Sequence, residues 1–312
     1  MAYSLNDINF RTVADPKEFA EDCEEKYNKK VEKAAGLIVE NIKNSPIVLL
    51  SGPSGSGKTT TAAKISEKLN SMGVGTHYIG MDDYYNTVTP ENTPRTPEGE
   101  YDLESPLCLD MDLLNEHFTM LSRGERIYVP RYEFSTRTRS INPSKSIKLG
   151  KDEVCVVEGI HALNDMLTDR HPEAFKLHIS ANSDVQFEDK VVFKRTWFRL
   201  VRRMVRDYNF RGADPLETMS MWANVRRGEK LYISPFKSKA NYQFDTSFAC
   251  ELAVMNGTAT ELFRSVPEGI ERFDELRAVL PALQLFGRID EKDVPQDSLL
   301  REFIGGGIYA TL

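Results

Sequence analysis

The stretch SGPSGSGKTT (residues 51–60) spaces Gly52, four residues, Gly57, Lys58 and Thr59 in the pattern G-x-x-x-x-G-K-[ST]. Glycines at these points let the backbone turn tightly and aim its N–H groups at anionic oxygens. The pattern assigns Lys58 to the β- and γ-phosphates of a nucleoside triphosphate and the Thr59 hydroxyl to Mg²⁺. The loop residues Ser54, Gly55, Ser56 and Thr60 would complete the ATP cradle with Gly52 and Gly57.

Other residues could act on such a phosphate. Asp82 and Asp83 stand together in MDDYY (81–85), directly after an apolar run. One of them could accept the proton of an attacking hydroxyl; a pair of acids capping a turn is the plainer alternative. Glu158 closes EVCVVEG (153–159), where a carboxylate could hold Mg²⁺ through water, or simply be a solvated strand end. Arg195, Arg199, Arg202 and Arg206 follow at spacings of 4, 3 and 4, with Arg203 and Arg211 close by. One helix face carrying four guanidinium groups suits an anion such as a transferring phosphoryl group. Local acids on a surface face would also satisfy it. Tyr132 and Phe134 alternate in VPRYEFSTRTRS (129–140), so in an extended chain both rings face one side. With nearby cations they could hold a flat heterocycle, or they could be ordinary packing.

The elements needed to position these residues follow from the hydrophobic pattern. PIVLL (46–50), THYIGM (76–81), EVCVVEG (153–159), AFKLHIS (174–180) and YQFDTSF (242–248) are predicted strands. TAAKISEKLNSMG reads as a helix with Ala62, Ile65, Leu69 and Met72 on one face and Gly73 as its stop. Strand, glycine-rich loop and helix in that order set a helix N-terminus against phosphate. Further helices are predicted at 16–44, 110–123, 190–207 and across 258–291. The helix at 16–44 is amphipathic and either packs on the main domain or makes a dimer contact. Strands alternating with helices predict an α/β fold whose mainly parallel sheet is covered on both faces. Ligands then bind at the carboxyl ends of the strands. The Pro- and Thr-rich segment 86–106 is predicted to be a long loop, and the ending VPQDSLLREFIGGGIYATL an irregular tail.

The 312 residues carry 40 Lys and Arg against 47 Asp and Glu, a formal charge of −7. That balance argues against a general nucleic-acid binder. Cys23, Cys108, Cys155 and Cys250 have no metal-type spacing and read as reduced, mostly buried thiols of a cytoplasmic protein. The start MAYSLNDINF is not a signal peptide. No apolar run approaches membrane-spanning length.

Taken in order, GPSGSGKTT, MDDYY, YDLESP, VPRYEFSTRTR, VVEGIHAL and RLVRRMVRDYNFRG resemble the uridine kinase and phosphoribulokinase family. They are most similar to the kinase module of bacterial uridine kinase-like proteins that carry a TGS domain ahead of it, although this sequence has no TGS segment. The resemblance spans about residues 16–307. It implies a P-loop NTPase-type three-layer α/β/α domain at 46–265, with a lid at about 190–215. A helical extension would precede it (1–45), and a C-terminal helix and tail (266–312) would pack on it.

The resemblance also implies roles. Asp82 matches the catalytic acid, joined by Lys58 and Arg199; Glu158 and Thr59 match the metal side. Arg202 and Arg203 fall with the ATP-binding lid arginines. Asp83, Tyr85, Tyr132, Phe134 and Arg206 fall to the acceptor side, and Asp102 matches the acid that holds ribose hydroxyls. Arg137 stands where uridine-cytidine kinases carry a base-reading His. The expected function is an ATP- and Mg²⁺-dependent kinase acting on a small molecule, with the 5′-hydroxyl of a nucleoside as acceptor. A kinase of another small alcohol or sugar, and a non-catalytic nucleotide sensor, are the rivals. A GTPase lacks support, since no N-K-x-D motif is present. Homo-oligomerisation stays open.

Overall fold

A computed structural model describes residues 2–267 and 274–309. Its centre is a five-stranded sheet of β1 (Ile47–Ser51), β2 (Gly75–Gly80), β3 (Glu153–Glu158), β4 (Phe175–Ser180) and β5 (Tyr242–Asp245). The order is β5-β4-β1-β3-β2, and every pairing is parallel. Strands buried on both faces read as continuous apolar runs, because neither face meets water. All five residues of β1 are buried.

Side-chain alternation divides the interior into two cores. Val48, Leu50, Val156, Leu177 and Ile179 face one core together with the long helix Pro16–Asn41 and the helix Lys58–Ser71. Ile47, Leu49, Ile79, Cys155 and Val157 face the other, covered by the helix Met111–Ser122. This is the expected three-layer arrangement. Each fully buried aliphatic side chain stabilises it by about 1.5–3 kcal/mol.

Several predicted bounds shift. The N-terminal segment is two helices, Leu5–Ala14 and Pro16–Asn41. The second starts with Asp15 accepting the Glu18 N–H at 2.9 Å and with Pro16 in the first turn, an N-terminal arrangement that needs no hydrogen bond from proline. The predicted helix at 190–207 begins later. Lys190–Phe193 is instead a strand, paired antiparallel with Asp184–Phe187, and the helix runs Arg195–Arg211. Val191 and Val192 favour the strand, and Glu188 supplies the left-handed turn at φ 51°. Gly212, at φ 66°, ends the helix. Met72 does not join the buried face of its helix; it is the exposed cap residue.

The helical stretch at 258–291 resolves into Glu251–Ser265 and Asp274–Leu283, and residues 268–273 lie outside the described residues. The ending is not irregular throughout. Arg301–Ile304 is a helical turn, and Leu299, Leu300 and Phe303 are buried in the same core as the Pro16–Asn41 helix. All four cysteines are free and buried. Among the described residues, no helix is long and apolar enough to cross a membrane.

Candidate active site

The register of the sheet decides where the site lies. Leu50 of β1 and Gly80 of β2 both pair with Glu158 of β3, so three strands end level. The segments that leave them meet at one edge: the glycine loop, the short turn Met81–Tyr84, and Gly159 onward.

In the glycine loop, a Cβ on Gly52 would stand 2.1 Å from the Ile179 carbonyl oxygen, so no side chain fits. Gly55 and Gly57 take φ of +74° and +79°, where L side chains are strained. The helix Lys58–Ser71 starts at once, and no side chain caps it. Its first N–H groups are therefore left to an anion. Leu299 closes over Gly57, where an added Cβ would come within 2.5 Å of its side chain.

This edge opens into a cavity of about 520 Å³. Loop residues Ser54, Gly55, Gly57, Lys58, Thr59 and Thr60 line its floor. Ser56 is not in that wall; its hydroxyl is buried without a partner among the described residues, and its carbonyl accepts from Thr246 Oγ1 at 2.7 Å. Lys58 Nζ is 3.6 Å from Glu158 Oε1, and the Tyr78 hydroxyl donates to Glu158 Oε2 at 2.9 Å. Burial pushes the Glu158 carboxyl above the ordinary carboxylate range, against the opposing pull of Lys58. Asp82 lines the same cavity. Desolvation by the cavity wall raises its carboxyl too, with Lys58 opposing and Asp83 adding to the rise. Of the adjacent acids, Asp82 faces the cavity, and Asp83 is not among the lining residues.

The far wall is aromatic. Tyr132 and Phe134 lie edge to face with centroids 5.1 Å apart, and Tyr85 stands 5.4 and 6.2 Å from them. Tyr132 belongs to a two-residue strand, Tyr132–Glu133, paired with Thr138–Arg139, so the rings are presented by a hairpin. Arg137 sits in that hairpin's turn at φ 55°, unusual for a non-glycine residue, and lines the cavity.

The arginines do not act as one face. Arg203 and Arg206 line the cavity, as does Arg211. Asp207 gathers all three, at 3.1, 2.6 and 3.6 Å. Arg203 Nη1 also donates to the Ser54 hydroxyl at 3.1 Å. Arg199 is outside this cavity: its Nε donates to the Ser54 carbonyl at 2.9 Å and its Nη1 to Glu229 at 2.7 Å. Arg202 departs from the expectation of ATP contact. Fully buried, it donates to Glu251 through Nε at 2.8 Å and Nη2 at 2.6 Å, and to the Thr246 carbonyl at 2.6 Å. A helix turns about 100° per residue, so adjacent Arg202 and Arg203 face core and cavity respectively.

Asp102 also departs from expectation. It is 4% exposed, does not line the cavity, and accepts from Tyr232 at 2.8 Å and Arg227 at 3.2 Å. Glu104, two residues on, lines the wall instead. Sequence reasoning also passed over Asp207, Phe210, Glu302 and Tyr309. Glu302 accepts from Thr60 Oγ1 at 2.7 Å, and the Tyr309 hydroxyl donates to Glu67 at 2.6 Å. The only signal for the last two was an aromatic- and acid-bearing ending, which nothing local ties to the loop.

The residues present fit a magnesium nucleoside triphosphate: the left-handed glycines, the uncapped helix start, Lys58 and Thr59 converge on one cavity. Among the described residues, no group of three or more His, Cys, Asp or Glu could hold a metal ion alone. A cation here would lean on phosphate oxygens, as Mg²⁺ ordinarily does.

Residues 47–250 match the model of the Phosphoribulokinase / Uridine kinase family. A uridine kinase of Saccharomyces cerevisiae is 32% identical over 197 residues, covering 62% of this chain and 36% of that protein. A uridine kinase of Staphylococcus haemolyticus is 30% identical over 199 residues, covering 64% of this chain and 86% of that protein. The match thus spans about a third of the yeast relative and most of the bacterial one. Among solved structures, the D-glycerate 3-kinase of Cryptococcus neoformans var. grubii is similar at 14% identity and a TM-score of 0.42, covering 65% of this chain and 88% of that one. That likeness is too loose to bear on the acceptor.

Proposed function

The chain belongs to the phosphoribulokinase/uridine kinase family, and from that premise we propose that it moves the γ-phosphoryl group of ATP to the 5′-hydroxyl of a nucleoside. One observation carries the reading. A single cavity joins the phosphate loop and Lys58, through Asp82, to three aromatic rings and Arg137. Phosphate chemistry at one end and a flat-faced pocket at the other suit a nucleoside acceptor.

Asp82 would take the proton of the acceptor hydroxyl as its oxygen bonds to the γ-phosphorus and the bond to the β-phosphate oxygen breaks, releasing ADP. Desolvation by the surrounding cavity wall raises its carboxyl, though its side chain is open to solvent, and a raised carboxyl is a better base than an ordinary aspartate. Lys58 and the loop N–H groups would follow the charge on the transferring group, joined by Arg203 and Arg206. Mg²⁺, held by the Thr59 hydroxyl with Glu158 near it, would supply neutralisation of triphosphate charge. Phe210 and Tyr309 line the cavity with Glu302 and would bound the donor's base. Glu104 is the carboxylate available to the sugar, with Asp102 held behind it. Such a loose transition state needs positioning and charge more than covalent help.

Arg137 only donates hydrogen bonds, so it favours a base edge rich in carbonyls. Uridine is expected to exceed cytidine in kcat/KM, with deoxyuridine poor. Steady-state assays over uridine, cytidine, deoxyuridine and adenosine, repeated with Arg137→His, test this. Turnover on a sugar or other small alcohol and on none of these four would replace the nucleoside while keeping the kinase. Nucleotide binding with no ADP release on any acceptor would favour the non-catalytic sensor instead.

A further inference from the structure

A second cavity, about 360 Å³, shares no lining residue with the first. It lies against Pro53, between the end of β4, the first turns of the Arg195–Arg211 helix and the last turns of the helix Pro215–Tyr232. Its charge is lopsided. Arg195, Arg199, Arg226 and Lys237 line it, against the one carboxylate of Glu229. That carboxylate is already divided between Arg199 and Arg226. Lys237 has a neutral partner, Asn182 Oδ1 at 3.3 Å, and the Arg195 side chain makes no ion pair among the described residues.

Two residues of the same wall each carry a buried nitrogen without a hydrogen bond among the described residues. Arg199 is 2% exposed, and its Nη2 has no hydrogen bond; His178 is 4% exposed, and its Nδ1 has none. Buried polar groups are normally satisfied, and cations gathered in a concave wall repel one another unless an anion lies among them. We propose that this cavity is a second anion site, which takes a phosphorylated small molecule while ATP occupies the phosphate loop.

The site also touches the loop through one side chain. Arg199 lines the cavity while it holds the Ser54 carbonyl by Nε and Glu229 by Nη1. An occupant there breaks neither bond and steadies the residue that anchors the loop, so occupancy is expected to tighten nucleotide binding. Linkage makes that effect mutual. Binding here needs no catalysis, so its failure and that of the kinase reading are separable.

The test is calorimetry on the full chain, its phosphate loop filled with a non-hydrolysable ATP analogue, with pyrophosphate as the titrant and the same large excess of free Mg²⁺ in cell and syringe so that neither ligand strips the ion from the other. One further equivalent should bind, and more weakly as salt rises. The double variant Arg195→Ala/Lys237→Ala should weaken it at least about tenfold, since two charge-assisted contacts go. The single variant Lys237→Ala should keep its melting temperature and its pyrophosphate-free kcat. In the wild type, pyrophosphate should lower the Kd of the analogue. No binding once the loop is filled, or binding undiminished in the double variant and in Lys237→Glu, overturns the site. An analogue Kd that is unchanged or raised overturns the link to the loop.

Discussion

Replacing Arg202 by Met should cost stability far more than it costs chemistry. Its guanidinium and the Glu251 carboxylate are both 0% exposed and joined at 2.6 Å. Thr246 adds two more contacts, its carbonyl at 2.6 Å and its hydroxyl at 3.3 Å. The ring of Phe303 lies 5.1 Å from the guanidinium carbon. Methionine fills most of the volume and leaves Glu251 buried without its cation. Breaking a buried pair in this way costs about 3–5 kcal/mol. At about 2–4 °C per kcal/mol for domains of roughly 200 residues, the melting temperature should fall by roughly 6–20 °C. The double replacement Arg202→Met/Glu251→Leu removes both charges and should recover most of the loss. Thermal melts of both variants, with kcat measured well below the melting temperature, decide the matter. Arg202→Met melting within about 2 °C of wild type while kcat collapses would refute a structural Arg202 and return it to the phosphate site.

Asp82→Asn should lower kcat by at least about a hundredfold, with nucleotide affinity little changed, as stopped-time ADP assays and calorimetry will read. Because desolvation by the cavity wall raises the solvent-facing Asp82 carboxyl against the pull of Lys58, wild-type kcat should fall on the acid side at a pH above the ordinary aspartate range. The same direction sets a stability effect. A folded-state pKa above the unfolded value stabilises below the unfolded pKa, and this is lost as pH rises through the folded pKa. Asp82→Asn should therefore melt higher than wild type at neutral pH and not in acid; an equal or lower neutral melting temperature contradicts it. Tyr309→Ala should raise KM for ATP several-fold with KM for the acceptor unchanged, and the reverse pattern would move Tyr309 to the acceptor side. Glu104→Gln should instead raise KM for the acceptor alone, and a change confined to ATP would refute its place at the sugar.

The sequence by itself determined whatever is encoded within one element. Gly52, Gly57, Lys58 and Thr59 act across eight residues of backbone, so their spacing declares the loop, and the apolar run before it declares a buried strand. Alternation within β1 and β3 separates Val48, Leu50 and Val156 from Ile47, Leu49 and Val157, which is enough to predict two covered faces. Tertiary structure decided what depends on partners far along the chain. RLVRRMVRD shows four helix-spaced cations but not which face meets the core. Glu251 and Thr246, more than forty residues on, draw Arg202 inward, and Asp207 turns Arg203 and Arg206 toward the cavity. Asp102 and Glu104 are equally acidic in YDLESP, and Tyr232 and Arg227 engage the first while the second lines the cavity. Glu302 reaches Thr60 across 242 positions of sequence. Local spacing dictates backbone geometry, because torsions and helical hydrogen bonds act over a few residues. The direction a side chain faces follows from which distant groups pay back its burial, and only the folded chain brings those groups together.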